Sequence, residues 1–357
     1  MHSSYLIKRL IFIPITLLGI LLINFLFIQL APGGPVEQIL AKHQQSNMMD
    51  RLSGEHVEIL TASDSAYRGS SGLTESLRDE LNHQFGFDKP LHVRFFKMLK
   101  DYAVFDFGKS FYQDKSVIAL VLEKMPVSLS LGFFSTLLIY FISIPLGIKK
   151  AVLNSTKFDK NSSLILTICY AVPAFLLAIF LIILFAGGRY FQIFPLKGLV
   201  SDNWDELNWF LKIADYLWHI CLPVLSLTLG GLAALTFLTK NAFLEELNKP
   251  YVRTAIAKGL SQNQVLYGHI FRNALLIVIA GFPSMLIGML FTGSVLIEVI
   301  FSLDGLGLLG YEAVVNRDYP VIFGTLYIFA LLGLVLNLLS DYIYTRVDPR
   351  IHFDKGI

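Results

Sequence analysis

Charged side chains are scarce in this sequence of 357 residues, and their scarcity excludes most soluble folds. Asp, Glu, Lys and Arg make up 16% of the chain, whereas 54% is hydrophobic and the mean hydropathy is +0.60. A soluble domain typically carries about a quarter charged residues. The net charge of +2 gives no basis for binding a polyanion such as nucleic acid. Much of the chain therefore faces a medium other than water.

Motifs for metal, phosphate or covalent chemistry are missing as well. The two cysteines, Cys169 and Cys221, lie in apolar stretches without a ligand partner, which favours a packing role. The sequence has no Gly-x-x-x-x-Gly-Lys-Ser/Thr loop and no His-Glu-x-x-His motif. Ser135 and His219 lie in apolar runs, but nothing in the sequence pairs them as nucleophile and base. No catalytic, cofactor-binding or metal-binding residue is predicted, so an intramembrane enzyme is disfavoured.

What the chain does have is six long runs without Asp, Glu, Lys or Arg. Each run has at least 22 residues, and a membrane-spanning helix needs about 20. The first run is longer than the apolar part of a signal peptide, so it is predicted to remain as an uncleaved span. The sequence therefore predicts an all-α membrane protein with six transmembrane helices. The runs cover residues 10–36, 125–148, 161–188, 216–239, 273–297 and 319–340.

Lys and Arg in the short connections predict the orientation of these spans. With a cytoplasmic N-terminus, the inner segments hold fourteen Lys and Arg and the two short outer loops hold four. Cytoplasmic loops carry the excess of these residues, and long loops do not count in the rule. Both termini are therefore expected in the cytoplasm.

A long polar segment separates the first two spans and divides the chain into regions. The predicted boundaries are 1–36 for the N-terminus and first span, 37–124 for an external insertion, 125–343 for the other five spans, and 344–357 for a cytoplasmic tail. Within the insertion, 42–72 has the composition of a flexible segment, helical spacing starts at Leu73, and 94–100 is amphipathic. Such a face fits either a small domain on the membrane surface or a docking surface for an external partner.

The connection between spans four and five, residues 240–272, has its own local structure signals. Pro250 suits the first turn of a helix, and Gly259 suits the left-handed position just after its end. Ser261 and Gln264 form a capping box for a second helix. A helix, a glycine turn and a second helix are therefore predicted below the membrane. Such a hairpin either shortens a connection or couples the spans to a partner, and its length favours coupling.

Ionisable residues are nearly absent from the six apolar runs, which bears on the source of energy. Ion-coupled carriers and channels usually place such residues within their spans. Only His219 lies inside a run, while Glu298 and Asp341 lie at the ends of two. A secondary transporter or channel stays an alternative, but energy supplied by another subunit is favoured.

Several landmarks, in order along essentially the whole chain, resemble the dipeptide and oligopeptide permeases of ABC importers. The segment 251–259, Tyr-Val-Arg-Thr-Ala-Ile-Ala-Lys-Gly, resembles the cytoplasmic coupling motif of that family. It has Arg253-Thr254-Ala255 where the general motif has Glu-Ala-Ala, and Ile277 and Asp304 replace prolines common in relatives. The other landmarks are Tyr5-Leu6-Ile7-Lys8-Arg9-Leu10, Ala31-Pro32-Gly33-Gly34-Pro35, Asp106-Phe107-Gly108-Lys109-Ser110, Pro145-Leu146-Gly147-Ile148, Gly293-Ser294, Glu298, Phe301, Gly305-Leu306-Gly307, Arg317-Asp318-Tyr319-Pro320 and Asp348-Pro349-Arg350-Ile351.

The resemblance implies an ABC importer permease fold in a bacterial inner membrane, in contact with lipid. It implies a heterodimer with a second related permease, a cytoplasmic ATPase that binds ATP-Mg, and a periplasmic peptide-binding protein. The long insertion with Gly86-Phe87-Asp88-Lys89-Pro90 is most similar to Yej-type permeases. That type implies import of oligopeptides and of the peptide-nucleotide antibiotic microcin C.

The resemblance also implies an ATPase-coupling site in the segment 251–259. Arg253 and Lys258 are expected to make polar contacts with the ATPase, although both also fit the simple excess of cytoplasmic cations. The small residues are expected to allow close packing of the partner. The full predicted set is Tyr251, Arg253, Thr254, Ala255, Ala257, Lys258 and Gly259.

Overall fold

The computed structural model describes residues 3–30, 89–188, 190–292 and 295–347, and these residues form helices joined by short connections. A short 3₁₀ helix spans Trp204–Glu206, and a π-helical segment spans Leu266–Ile270. The α-helices are α1 (Ser3–Leu30), α2 (Leu91–Ala103), α3 (Val117–Val152), α4 (Lys157–Ala171), α5 (Ala174–Phe185), α6 (Trp209–Leu247), α7 (Pro250–Ala257), α8 (Gln262–Val265), α9 (Phe271–Ala280), α10 (Phe282–Thr292), α11 (Val295–Ile300), α12 (Leu306–Asn316) and α13 (Tyr319–Val347).

Among the described residues, five helical segments are long and apolar enough to cross a membrane, and a bent pair makes a sixth if it is one span. The five are in α1, α3, α6, the segment Gln262–Met285, and α13. The pair is α4 and α5, which meet at an angle of 97°. The helices α3 and α6 extend beyond the charge-free runs because a charged residue ends the apolar stretch without ending the helix. The predicted all-α membrane fold is confirmed.

The third span was predicted as one continuous helix, and the structure shows two. Val172 and Pro173 have extended backbones, with ψ of 119° and 137°. Proline has no N–H for the helical ladder, and it disfavours helical geometry in the residue before it. The prediction of an unbroken helix over 161–188 was therefore wrong at this point.

Two contacts indicate that the chain of the bent pair runs from one end of α6 to the other, as a single broken span would. At the start of α4, Asp159 pairs with Lys240 at 2.7 Å, and after α5 the carbonyl of Ile193 accepts from Trp218 Nε1 at 2.9 Å. Lys240 and Trp218 are 22 residues apart on α6, or about 33 Å at the helical rise. That distance matches a hydrocarbon core of about 30 Å.

The chain divides into two compact units. Among the described residues, the larger contains 3–11, 122–309 and 331–347, and the smaller contains 12–30, 89–121 and 310–330. In the larger unit, Phe243, Ile270 and Val278 belong to a buried cluster that holds α6 and α9 together. A second cluster joins Ala178 of α5 to Ile220 and Leu222 of α6.

The smaller unit contains the described part of the predicted insertion. The amphipathic stretch predicted at 94–100 lies in α2, whose Phe95 ring is 5.3 Å from that of Phe25. The carboxylate of Asp318 accepts hydrogen bonds from Ser110 Oγ and from the N–H of Phe111, the latter at 3.2 Å. The predictions for 42–72 and from Leu73 to residue 88, and the landmarks at 31–35, 293–294 and 348–351, lie outside the described residues.

Candidate coupling site

The first helix of the predicted coupling loop forms where its local signals place it. Pro250 is the first residue of α7, and Lys258 is its cap. Gly259 has a φ of +84°, the left-handed conformation expected at that position. Its N–H bonds the carbonyl of Ile256 at 2.9 Å, which closes the last turn.

The second helix of the loop begins at the predicted capping box. The Ser261 hydroxyl accepts from the N–H of Gln264, and the Gln264 side chain accepts from the N–H of Ser261 at 2.9 Å. This helix continues through the π-helical segment into α9. The second arm of the hairpin is thus the beginning of span five itself.

The faces of α7 divide the predicted residues into two groups. Val252 and Ala255 are 3% and 8% exposed and pack in the buried cluster with Phe243 and Ile270. Ala255, predicted to admit a partner, therefore faces the chain's own core. The predicted residues that are exposed are Arg253, Thr254, Ala257, Lys258 and Gly259.

Ile256 was missed by the sequence prediction. Its side chain, one turn after the buried Val252, is 53% exposed, and the neighbouring residues Arg253 and Ala257 are exposed as well. Single exposed apolar residues are common on protein surfaces, so it is the position of Ile256 inside the motif that makes it a candidate contact. The apolar residue within the motif was the available signal, but the motif does not show which face each position occupies.

Tyr251 lies at the base of α7 and anchors it. Its hydroxyl donates to Glu246 Oε2 of α6 at 2.6 Å and accepts from Asn273 Nδ2 of α9 at 3.4 Å. Lys249 forms an ion pair with the same carboxylate, which raises the pKa of that lysine. Burial and the hydrogen bond to Glu246 raise the pKa of Tyr251. Tyr251 thus joins α7 to spans four and five.

A buried ion network joins three helices at the end of the larger unit where Tyr251 also lies. Lys150 of α3 has no exposed side-chain surface, and its Nζ lies 3.0 Å from Asp159 Oδ1. Ser162 and Ser163 also accept from Lys150, at 2.8 and 2.7 Å. Since Asp159 also pairs with Lys240, one carboxylate holds α3, α4 and α6 together. In the sequence, the two lysines indicate only a cytoplasmic location and give no sign of this pairing.

The Gly-Leu-Gly landmark lies beside the buried carboxylate of Glu298. Glu298 accepts from Ser128 Oγ at 3.0 Å and from the N–H of Leu308 at 2.6 Å, next to the start of α12. The helix N-terminus favours a negative charge there. Asp304, just before the Gly-Leu-Gly landmark, pairs with Lys124. Glu298 therefore links α3 to the start of α12 within the larger unit.

Ser135 and His219, which nothing in the sequence pairs, have separate surroundings in the structure. His219 Nδ1 lies 2.8 Å from the carbonyl of Asp215 on its own helix. The Ser135 hydroxyl is buried without a hydrogen-bond partner in the described part of the chain. Among the residues that the structure describes, no group of three His, Cys, Asp or Glu could hold a metal ion.

Comparison with known proteins identifies the family to which this geometry belongs. Residues 143–353 match the family described as "Binding-protein-dependent transport system inner membrane component". The chain belongs to this family. The match includes α7, the glycine turn and the ion network of Lys150, so these features lie in a region common to inner-membrane permeases of this type.

Individual relatives cover nearly the whole chain. It is 57% identical over 361 residues to the inner membrane ABC transporter permease protein YejB of Escherichia coli O157:H7, with 99% of each chain covered. It is 56% identical to the peptidoglycan transport system permease protein YejB of Agrobacterium fabrum, again with 99% of each covered. The oligopeptide transport system permease protein AppB of Bacillus subtilis is 33% identical over 98% of this chain and 100% of its own. The predicted resemblance to Yej-type permeases is confirmed.

A solved structure shares the fold. An inward-facing conformation of the MetNI methionine ABC transporter aligns with a TM-score of 0.50 and 18% identity, covering 64% of this chain and 97% of that one. The permease is therefore a multi-pass inner-membrane transport subunit. Membership of a binding-protein-dependent family disfavours the ion-coupled carrier or channel considered as an alternative.

Proposed function

We propose that this permease imports oligopeptides and that α7 couples it to a separate ATPase. The observation that carries the proposal is the two-sided character of α7. One side of the helix, with Val252 and Ala255, is packed into the core, and the rest of its surface presents Arg253, Ala257 and the exposed side chain of Ile256, one turn after Val252. A helix of this kind can receive a force on its outer face and deliver it to the spans.

The anchoring of α7 suggests how that force reaches the membrane. Tyr251 links α7 to α6 through Glu246 and to α9 through Asn273. Packed cores transmit displacement because they contain few voids. Closure of a separate ATPase around ATP-Mg would therefore move spans four and five as a unit and switch the passage between its outward-facing and inward-facing states.

The ATPase contact is expected to combine one apolar anchor with flanking cations. Ile256 would enter an apolar pocket, while Arg253 and Lys258 would meet carboxylates at its rim. Gly259 would serve by turning the chain away from the contact. Both termini are expected on this same cytoplasmic side, together with Lys150 and Lys240.

The other partners follow from the family. A second related permease is expected to complete a heterodimer, and a periplasmic peptide-binding protein is expected to deliver the cargo. The cargo is proposed to be oligopeptides, in keeping with the name of the AppB relative. The name of the Agrobacterium relative favours fragments of peptidoglycan as a second cargo class. Competition of each class with a labelled oligopeptide, and sensitivity of cells to microcin C, would separate these cargoes.

The coupling assignment can be tested on the outer face of α7. Ile256→Asp places a charge in the proposed anchor, and Leu153→Asp is a matched control because Leu153 is an exposed apolar residue in the turn between α3 and α4. We expect Ile256→Asp to insert normally but to lose the ATPase and at least about tenfold of peptide uptake, as for an interface hot spot. The control should keep both. Normal ATPase retention and uptake in Ile256→Asp would refute the coupling role, and uptake without any ATPase would refute ATP-driven import.

A further inference from the structure

The break in span three leaves extended backbone inside the membrane. Val172 lies thirteen residues along α4 from Asp159, which is about 20 Å at the helical rise. Because Asp159 and its two lysines mark one edge of a hydrocarbon core of about 30 Å, the break lies well within that core.

Several backbone polar groups at the break have no helical partner. The carbonyl of Pro173 accepts from the N–H groups of Leu176 and Leu177, at 3.0 and 3.1 Å. The N–H groups of Ala174 and Phe175 precede that turn, and the last carbonyls of α4 face a proline that has no N–H to donate. Each such group costs several kcal/mol in hydrocarbon unless it finds a partner.

The described part of the chain does not cover this break. Val172 is 38% exposed, Tyr170 is 65% exposed, and Ala171 and Pro173 are also exposed. The flanking residue Ala178, by contrast, is fully buried against α6. Irregular backbone at membrane depth occurs only where it is buried in protein or lines a water-filled cavity, never against lipid.

We propose that the break at 171–173 lines the water-filled passage of the importer. Its free carbonyl and N–H groups would hydrogen-bond water at rest and the backbone of a peptide in transit. Every peptide carries these backbone groups, so such contacts would not depend on the cargo's side chains. The proposal rests on the proposed peptide-import function and assigns a part of the path within it.

Cysteine labelling can measure whether the break is in water. With Cys169 and Cys221 replaced by Ala, single cysteines would be placed by Ala171→Cys and Val172→Cys. Ile15→Cys is the control, because Ile15 is 58% exposed on the regular helix α1. The assembled transporter in membranes would be treated with a charged methanethiosulfonate. Only the thiolate reacts, so we expect both break positions to react at least about tenfold faster than the control.

A second arm tests whether the water-filled space is the peptide path. Adding oligopeptide, binding protein and ATP should slow labelling at the break but not at Ile15→Cys. Labelling as slow as the control at both break positions would overturn the proposal, since the break would then be covered by another subunit. Fast labelling that peptide leaves unchanged in importing membranes would also overturn it. Absence of any peptide import by the unmodified transporter would instead reject the proposed function, so the two failures are distinguishable.

Discussion

The carboxylate of Glu298 occupies the space that a side chain at residue 305 would need. A Cβ added to Gly305 would lie 2.4 Å from Glu298 Cδ. The carboxylate cannot simply move aside, because Ser128 and the N–H of Leu308 hold its two oxygens. Gly305 is thus required by a contact inside the larger unit.

Gly305→Ala is therefore expected to destabilise the permease. The added methyl must displace a buried, hydrogen-bonded carboxylate, at a cost of about 1–3 kcal/mol. Gly310→Ala is the control, because a Cβ there meets nothing within 4 Å and lies in the helix α12. Thermal unfolding of the purified transporter should show a lower midpoint for Gly305→Ala alone. Equal midpoints would mean that Glu298 has room to move.

Gly259→Leu is expected to reduce uptake through backbone strain. No atom lies within 4 Å of a Cβ at this position, so the cost comes from the φ of +84° and is about 1–2 kcal/mol. Asn tolerates this conformation better than Leu. Uptake of a labelled oligopeptide and retention of the ATPase should both fall more in Gly259→Leu than in Gly259→Asn. If the two variants behave alike, strain is not the cause.

Tyr251→Phe separates the transmission of movement from ATPase docking. The substitution keeps the ring but removes the hydroxyl that bonds Glu246, a loss of about 1.5–3 kcal/mol for a bond to a charged group. Because this hydroxyl points to α6 and α9, the ATPase should be retained while ATP-driven uptake falls. Tyr267→Phe, at an exposed tyrosine of the π-helical segment, should change neither. Loss of the ATPase in Tyr251→Phe would place the hydroxyl at the docking surface instead.

Asp159→Ala is expected to be the most damaging change in the buried ion network. It leaves Lys150 as an unpaired charge without exposed surface, which costs about 3–5 kcal/mol. Lys160→Ala, at an exposed residue next to Asp159, serves as the control. The amount of folded protein in membranes and its thermal stability would be compared. A stable Asp159→Ala variant would show that Lys150 can reach solvent or another partner.

Local signals predicted the helices and the glycine turn of residues 250–265 correctly because such signals act over a few residues. Pro250, Gly259 and the pair Ser261 and Gln264 each determine the backbone within one turn of the chain. Such signals do not determine which side chains of α7 point towards the core. The inward direction of Ala255 depends on packing against distant parts of the chain, which no spacing within the motif reveals.

Long-range pairs and the break in span three likewise could not be predicted from local sequence signals. Asp159 and Lys240 are 81 residues apart, and their pairing appears only when α4 and α6 are packed together. Proline alone did not predict the break either. Pro145 and Pro223 lie inside the continuous helices α3 and α6, whereas Pro173 coincides with a bend of 97°. Whether a proline breaks a span depends on the neighbours that can satisfy the freed backbone groups.

The short separation of Lys150 and Asp159 bears on how the chain enters the bilayer during synthesis. The two residues lie on either side of the turn between α3 and α4. The hairpin of these helices can therefore form with the charge of Lys150 already paired to Asp159. Lys240 leaves the ribosome some eighty residues later and completes the network only when α6 docks. Asp159 is thus available to Lys150 as soon as α3 and α4 have formed, before α6 has been made.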